Sequence, residues 1–514
     1  MVRPATDPAA PAPPRPVGLL AALLALALVV GWLVHYQAAA VAIASRYVRA
    51  LGPSSLQLKA QTLTLQRAAL RTADVLPIYG TSELYCCAGA NNAGTFYSTA
   101  PTGFSVFNVG YPLTEDLFWA ETFGALGNDL RGHKVVVSDS AWFLSAGGIS
   151  TAAYAHTYQP EIADVFTFDA PVPLALRAGV AQRMLAFPTT LQGQSVLQAG
   201  LRDLAAGTWR GDAAYWLLDP AGRLLAWTQE LTDARLTIQT LDDMGSLPVT
   251  MQPARWWQHW LDRLHLALQP PVPPGQPATL PATVPTQPRR LNWNALLADA
   301  TVQAEEAAAS NPFGVAPVSK WKACSDIQPV TGAQCGQALD LYRRGANNYF
   351  GTVYPVPKAW VQGVEQCVCW TDLNLEFEVL RSVGAQPMAW MQPIQGYLAN
   401  YSPYSAAARR VVYDRYQAIA AADGVPATTF ETHDGDPMFI NSFGHMSQRG
   451  WIYADRLLNL FWHGRLGIVQ ARMAEGGSVG QLFPAALNCP QRVWCRGVDL
   501  VAPLRGELDL LPTG

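Results

Sequence analysis

The sequence predicts an α/β protein, a parallel sheet flanked by helices, with a helical insertion and one N-terminal transmembrane helix. Three observations carry this. Short apolar runs alternate with helical intervals from Val75 to Phe143 and again from Asp372 to Trp462. Alternation at that spacing is the signature of parallel strands joined by crossover helices. Between the two blocks, Tyr154 to Leu268 keeps a helical period without strand-like runs. Ahead of both, Val17 to Ala44 holds no Asp, Glu, Lys or Arg, which is long enough to span a bilayer.

The bounds set by composition agree with that picture. The chain has 514 residues, 50% hydrophobic and 14% charged, enough to bury a large core in more than one unit. With a net charge of -3 and no basic run, it has no electrostatic footprint for nucleic acid. Arg3 and Arg15 precede the apolar run, opposed by Asp7. The positive-inside rule therefore places residues 1–16 in the cytoplasm, 17–40 across the inner membrane as a single-pass anchor, and the body outside. A cleaved signal peptide is the rival, because Ala38-Ala39-Ala40 and Ala42-Ile43-Ala44 resemble cleavage sites, but the apolar stretch exceeds a typical signal core.

After the anchor, Ser45 to Ala73 reads as helix, carrying the chain away from the membrane. Val75 to Tyr79 reads as a buried strand ending in Gly80-Thr81-Ser82-Glu83-Leu84. Glycine there permits a tight strand-to-helix turn, which exposes the serine hydroxyl beside the free N–H groups of a helix start. Such a serine can attack a carbonyl and have its oxyanion held, although Gly-Thr-Ser-Glu is also an ordinary helix N-cap. Phe104 to Val109 gives the second strand, ending at Gly110; Thr114 to Leu130 is helical; Lys134 starts a third strand running to Trp142 and Phe143. Ligands of such sheets bind at the carboxyl ends of the strands, which puts Ser82 and Gly110 at one edge.

The insertion carries Arg255-Trp256-Trp257-Gln258-His259-Trp260, whose tryptophans fall on neighbouring helical positions as core packing or as a face for a glycan or membrane interface. Residues 269–288 hold eight prolines and form a linker or extended loop. Asn292 to Ala309 is helical, stopped by Ser310-Asn311-Pro312-Phe313-Gly314. Asp372 to Gly384 is helical, Gln386 to Met391 a strand, Ala406 to Asp423 helical. A final strand-like stretch, Phe439 to Gly444, then leads into His445, Gly450-Trp451 and a helix to Trp462. His445 thus mirrors Ser82 across the sheet, a position from which a neutral imidazole can serve as its base or pack as a structural histidine. Of eight cysteines, Cys324/Cys335, Cys367/Cys369 and Cys489/Cys495 fall as local couples, and Cys86 and Cys87 are adjacent. Outside the cytoplasm such couples read as disulfides, and without paired Cys-x-x-Cys knuckles or nearby histidines no zinc site is expected. No cofactor is expected either.

Taken together, these segments resemble the DltD family of single-anchor extracytoplasmic proteins. Gly80-Thr81-Ser82-Glu83-Leu84 is similar to its Gly-Ser-Ser-Glu-Leu, and Leu130 to Phe143 to its Lys-rich strand ending in Trp-Phe. Ser310 to Val315, Asp372-Leu373 with Gly384-Ala385-x-Pro387 and Pro393-x-x-Gly396, and His445 with Gly450-Trp451 match further blocks in order. The resemblance implies an SGNH/GDSL-hydrolase-like fold split into residues 45–152 and 321–514, around an insertion at 153–320. It implies a part in D-alanylation of teichoic acid, or more broadly O-acylation (D-alanyl or acetyl) of an envelope or secreted polymer such as cellulose or another exopolysaccharide. A membrane-bound O-acyltransferase is the implied partner. Ser82 would be the nucleophile, His445 the base, and Gly110 with the Ser82 amide the oxyanion donors. Where the family has Asp, three residues before the histidine, this chain has Ser442. Asp434 or Asp436 reaching in, or a Ser-His dyad, are the ways to complete the site. Trp256 and Trp260 are candidate walls of a polymer groove. Two alternatives use the same residues: a GDSL-type polysaccharide esterase, and a non-catalytic polymer-binding scaffold for the acyltransferase. The cysteines point to a Gram-negative periplasm for the body.

Overall fold

A computed structural model describes residues 16–85, 89–100, 102–141, 144, 148–244, 291–309, 364–394, 406–434, 436, 439–440 and 445–466. Its centre is a five-stranded, all-parallel sheet of β1 (Val75–Gly80), β2 (Ser105–Gly110), β3 (Lys134–Ser140), β4 (Gln386–Gln392) and β5 (Ala427–Thr428), in the order β2-β1-β3-β4-β5. The mixed α/β fold with a flanked parallel sheet is as expected. The chain order reverses between β1 and β3, and the crevice above that switch point is where such sheets bind ligands.

Both faces of the sheet are covered, so its strands are apolar throughout rather than alternating. Along β1, Val75 and Tyr79 face one core, where Tyr79 packs edge-on against Trp119 and Phe123. Leu76 and Ile78 face the other, with Phe96, Trp390 and Trp451. The first core holds α4 (Leu63–Leu70), α7 (Asp116–Leu126), α14 (Cys369–Ser382) and α15 (Ala406–Ala422). The second holds α6 (Ala93–Thr99), α13 (Trp293–Ala309) and α16 (Gln448–Trp462). Pro77 is accommodated in a central strand because pairing with β3 begins one residue later, at Ile78.

Between β3 and β4 in the chain, the described residues from 151 to 243 are helical, from α8 (Thr151–Thr157) through α9 (Pro160–Phe168), α10 (Leu174–Met184) and α11 (Ser195–Ala205) to the long α12 (Trp209–Asp243). The tryptophan cluster with Trp256 and Trp260, the proline-rich 269–288 segment, the Ser310–Val315 turn, and Trp142 with Phe143 lie outside the described residues.

Helix α1 (Pro16–Ser45) is one uninterrupted helix, and Gly18–Ser45 is long and apolar enough to cross a membrane. Its last turns belong to the body: Ala40, Val41 and Ala44 are buried in the first core, and Trp227 on α12 donates its indole N–H to Gln37 at 3.2 Å. A cut at either alanine-rich signal-like site would remove packed residues.

Three expectations need correction. Ser45 to Ala73 is not one helix but α2 (Val48–Leu51), α3 (Leu58–Gln61) and α4, broken at Gly52-Pro53, and it lies in the body rather than leading away from the membrane. Proline cannot donate to the helix ladder, and Gly52 lies against the Val106 carbonyl too closely for any side chain. β3 ends at Ser140, short of Trp142. Phe439 and Ile440, which open the strand-like stretch before His445, join no strand of the sheet: Ile440 pairs with Met446, the neighbour of His445, in an isolated antiparallel bridge.

Candidate functional site

The serine turn is held by its own residues. β1 ends at Gly80, and α5 (Ser82–Tyr85) starts at once. The Glu83 carboxylate folds back to accept the Thr81 backbone N–H at 2.9 Å, and the Leu84 N–H donates to the Thr81 carbonyl at 3.2 Å. From the β2 side, the Thr114 hydroxyl donates to the Gly80 carbonyl at 2.9 Å. A side chain at Gly80 would collide with the Glu83 carboxylate, Leu84 and the Ser138 carbonyl, so glycine is required by space. Burial pushes the Glu83 carboxyl up from its usual range, opposed by the Thr81 and Glu83 amides, the His445 charge and the Ser138 hydroxyl.

His445 arrives from the far end of the chain. Met446 is bridged to Ile440, and the Ser447 N–H donates to the Phe439 carbonyl at 2.8 Å. The Ser447 hydroxyl then caps α16, accepting the Arg449 and Gly450 N–H groups at 3.1 Å each. Gly450 must lack a side chain because its Cβ would stand 2.5 Å from the Phe439 carbonyl oxygen. Gln448 reaches across the site, its side-chain oxygen accepting the Asn91 N–H at 3.0 Å, and ties the histidine turn to the loop after α5. The result is a separation of 2.8 Å between Ser82 Oγ and His445 Nε2, with both side chains part-buried. With Nε2 unprotonated, the serine hydroxyl donates to the imidazole, as a nucleophile does to its base.

Gly110 closes β2 directly opposite Gly80, and a Cβ on it would lie 2.5 Å from Leu84 Cβ and 2.8 Å from the Thr81 oxygen. It is therefore pressed against the flank of the serine turn. Asp434 accepts the Arg409 Nε at 2.7 Å, and Asp436 faces Arg449 at 3.1 Å and His433 Nδ1 at 3.4 Å, so both of the alternative acids are engaged in ion pairs. Ser442, Trp256 and Trp260 lie outside the described residues. So do all the cysteines other than Cys367 and Cys369, whose sulfurs stand 1.99 Å apart, at bonding distance.

Sequence reasoning singled out neither Glu83 as the brace of the turn nor the Asn91–Gln448 tie. Glu83 had a local signal, a carboxylate two residues past a glycine turn, whereas the tie joins positions far apart in sequence. Also missed were Asp116, Asp139 and Glu376, whose buried carboxylates converge on one another behind the serine turn and could hold a cation. Burial lifts the Asp139 carboxyl to about 7, against the Tyr416 hydrogen bond and with the added repulsion of Glu83.

Comparison with known proteins fits this geometry. The family model described as "DltD protein" matches residues 54–317 and 368–463, more than half of the chain and both halves of the sheet. The chain is also 22% identical over 416 residues to "Protein DltD" of Bacillus subtilis (strain 168), covering 80% of this chain and 88% of that protein. On the extent of the family match, the chain belongs to the DltD family.

Proposed function

We propose that the protein takes part in O-acylation of a cell-envelope or secreted polymer, with Ser82 as the acyl carrier and His445 as the proton shuttle. Membership of the DltD family supports D-alanylation of teichoic acid as the form this takes; acetylation of an exopolysaccharide is the variant for a cell without teichoic acid. The observation that carries the reading is the 2.8 Å approach of Ser82 Oγ to His445 Nε2 at the carboxyl end of β1. In the first half-reaction the serine oxygen attacks the acyl carbonyl while His445 takes its proton, and the oxyanion forms beside the Ser82 amide and Gly110. His445 returns that proton to the leaving group, and an ester on Ser82 remains. In the second half-reaction His445 takes the proton of a polymer hydroxyl as that oxygen attacks the ester. The polymer leaves acylated, and the proton returns to Ser82.

Helix α1 anchors the site beside a membrane, which suits an acyl group delivered by a membrane-bound O-acyltransferase. Arg3 and Arg15 ahead of it support a body outside the cytoplasm. The test is labelling of the full chain, purified in detergent, with a fluorophosphonate. Wild type should label, and Ser82→Ala and His445→Ala should each lose labelling by more than about a hundredfold, the scale of a general base. Equal labelling of wild type and Ser82→Ala would discard Ser82 as the nucleophile.

A further inference from the structure

We propose that Asp116, Asp139 and Glu376 form a site for a hard divalent cation, of the calcium, magnesium and manganese class, set behind the serine turn and separate from its chemistry. The three residues come from different elements: Asp116 opens α7, Asp139 lies next to the end of β3, and Glu376 is midway along α14. One carboxylate oxygen from each lies within 4.8 Å of the others. That span is about twice a calcium–oxygen bond of roughly 2.4 Å, so all three can reach one ion.

Glu376 is what separates this cluster from an ordinary group of acids. Its side chain is fully buried, and neither carboxylate oxygen has a hydrogen-bond partner among the described residues. A buried polar group without a partner is costly, and an ionised one much more so. A cation supplies the missing partner. Around it, the Tyr416 hydroxyl donates to Asp139 Oδ2 at 2.6 Å, the kind of hydrogen bond that aims a metal-ligating carboxylate. Tyr416 sits on α15, so a fourth element braces the site. Farther out, Arg183 already pairs with Asp372 at 2.6 Å, and Glu115 adds another buried oxygen without a partner. All the donors are oxygen, with neither imidazole nor thiolate in the cluster, which selects hard cations over zinc or copper. Bound there, the ion would join α7 and α14 to β3, the strand beside the one that carries the serine.

The competing arrangement is three protonated or proton-sharing carboxyls, and a metal measurement separates the two. The full chain in detergent is stripped with EDTA, dialysed against micromolar calcium, magnesium and manganese, and assayed for metal content and Tm. We expect about one ion per chain and a saturable rise in Tm with the preferred ion. Glu376→Gln removes a charged ligand and should weaken that ion by at least the roughly ten- to hundredfold that loss of an outer-shell partner costs, and flatten the Tm response. Glutamine mimics a protonated glutamate, so under the competing arrangement the variant folds with unchanged or higher Tm and no metal effect in either protein. Metal-free wild type after exchange with all three ions, or equal binding by wild type and Glu376→Gln, overturns the proposal. Because the readouts are metal content and Tm, they stand whether or not Ser82 proves to be acylated.

Discussion

Replacing Gly110 by alanine asks whether the serine is positioned by the strand beside it. The added methyl would sit 2.5 Å from Leu84 Cβ, 2.8 Å from the Thr81 oxygen and 2.9 Å from the Leu84 carbonyl carbon. Ordinary carbon contacts are about 3.5 to 4.0 Å, so roughly 1 Å of movement is needed. The obstacles are backbone atoms and a Cβ, which no rotamer change clears. Thr81 and Leu84 bracket Ser82, so the movement passes to the hydroxyl and opens its 2.8 Å approach to His445. Overpacking of this kind costs about 1–3 kcal/mol, and a misplacement near 1 Å costs on the order of a hundredfold in reactivity. The assay is the second-order rate of fluorophosphonate labelling together with Tm. Alanine keeps the backbone N–H at 110, so a loss of rate cannot be ascribed to a missing oxyanion donor. Gly179→Ala, inside α10, is the control, since its methyl meets one mobile atom, Leu375 Cδ2 at 3.0 Å, and it should leave the rate unchanged and Tm unchanged or raised by helix propensity. A Gly110→Ala protein with wild-type Tm and rate would refute the argument.

Other perturbations test other joints of the structure. Glu83→Ala leaves the buried Thr81 N–H without its acceptor and should cost about 1–3 kcal/mol in denaturant melts, with slower labelling of Ser82. Arg183→Ala strands the buried Asp372 carboxylate and should cost about 3–5 kcal/mol, while a double change of Arg183 and Asp372 to leucine should recover much of it. Lys134 donates to the Phe461 and Trp462 carbonyls at 3.0 and 2.6 Å, so Lys134→Ala should fray the end of α16 and raise amide exchange there. The acid cluster also gives a pH dependence with a definite sign. Asp139 rises from 3.8 to about 7 on folding, so the folded state holds its proton more tightly than the unfolded state. In EDTA, that part of the stability is present below about 4 and is lost as pH climbs through about 7. The Tm advantage of Asp139→Asn over wild type in EDTA should therefore grow across that window, and a constant difference would contradict the burial of Asp139.

The strands were legible because a sheet covered on both faces must be apolar in every residue, and β1 to β4 are short apolar runs closed by glycine or polar residues. The serine turn was legible as a glycine-hinged strand end running into a helix, but Gly-Thr-Ser-Glu reads equally as an ordinary N-cap, so its chemistry was not. His445 was singled out by its mirror position, which left a structural histidine equally open, and resemblance was what weighted its pairing with Ser82. The two lie 363 positions apart, and what joins them is the α16 cap and the Gln448 tie, which leave no local period. The helix α6 went unread because Ala93-Gly94-Thr95 gives no apolar stripe, and β5 because two residues make no pattern. The acid trio is invisible in one dimension, since its members belong to three elements and each reads alone as a surface residue.

The last turns of α1 have a mechanical consequence. A span joined to its body by a slack linker lets that body tilt and wander, and a reactive group then samples many heights above the lipid. Here Ala40, Val41 and Ala44 are core residues and Gln37 is held by Trp227, so the span and the body share one rigid rod. With α1 across a bilayer, as proposed, the serine would be set at a fixed elevation above the lipid. Reach would then be a built-in dimension of the molecule, and the proposed donor would have to present its cargo at that level. Adding or removing one residue within 37–44 would turn the body by about 100° about the rod, whereas the same change ahead of Gly18 would leave its bearing untouched.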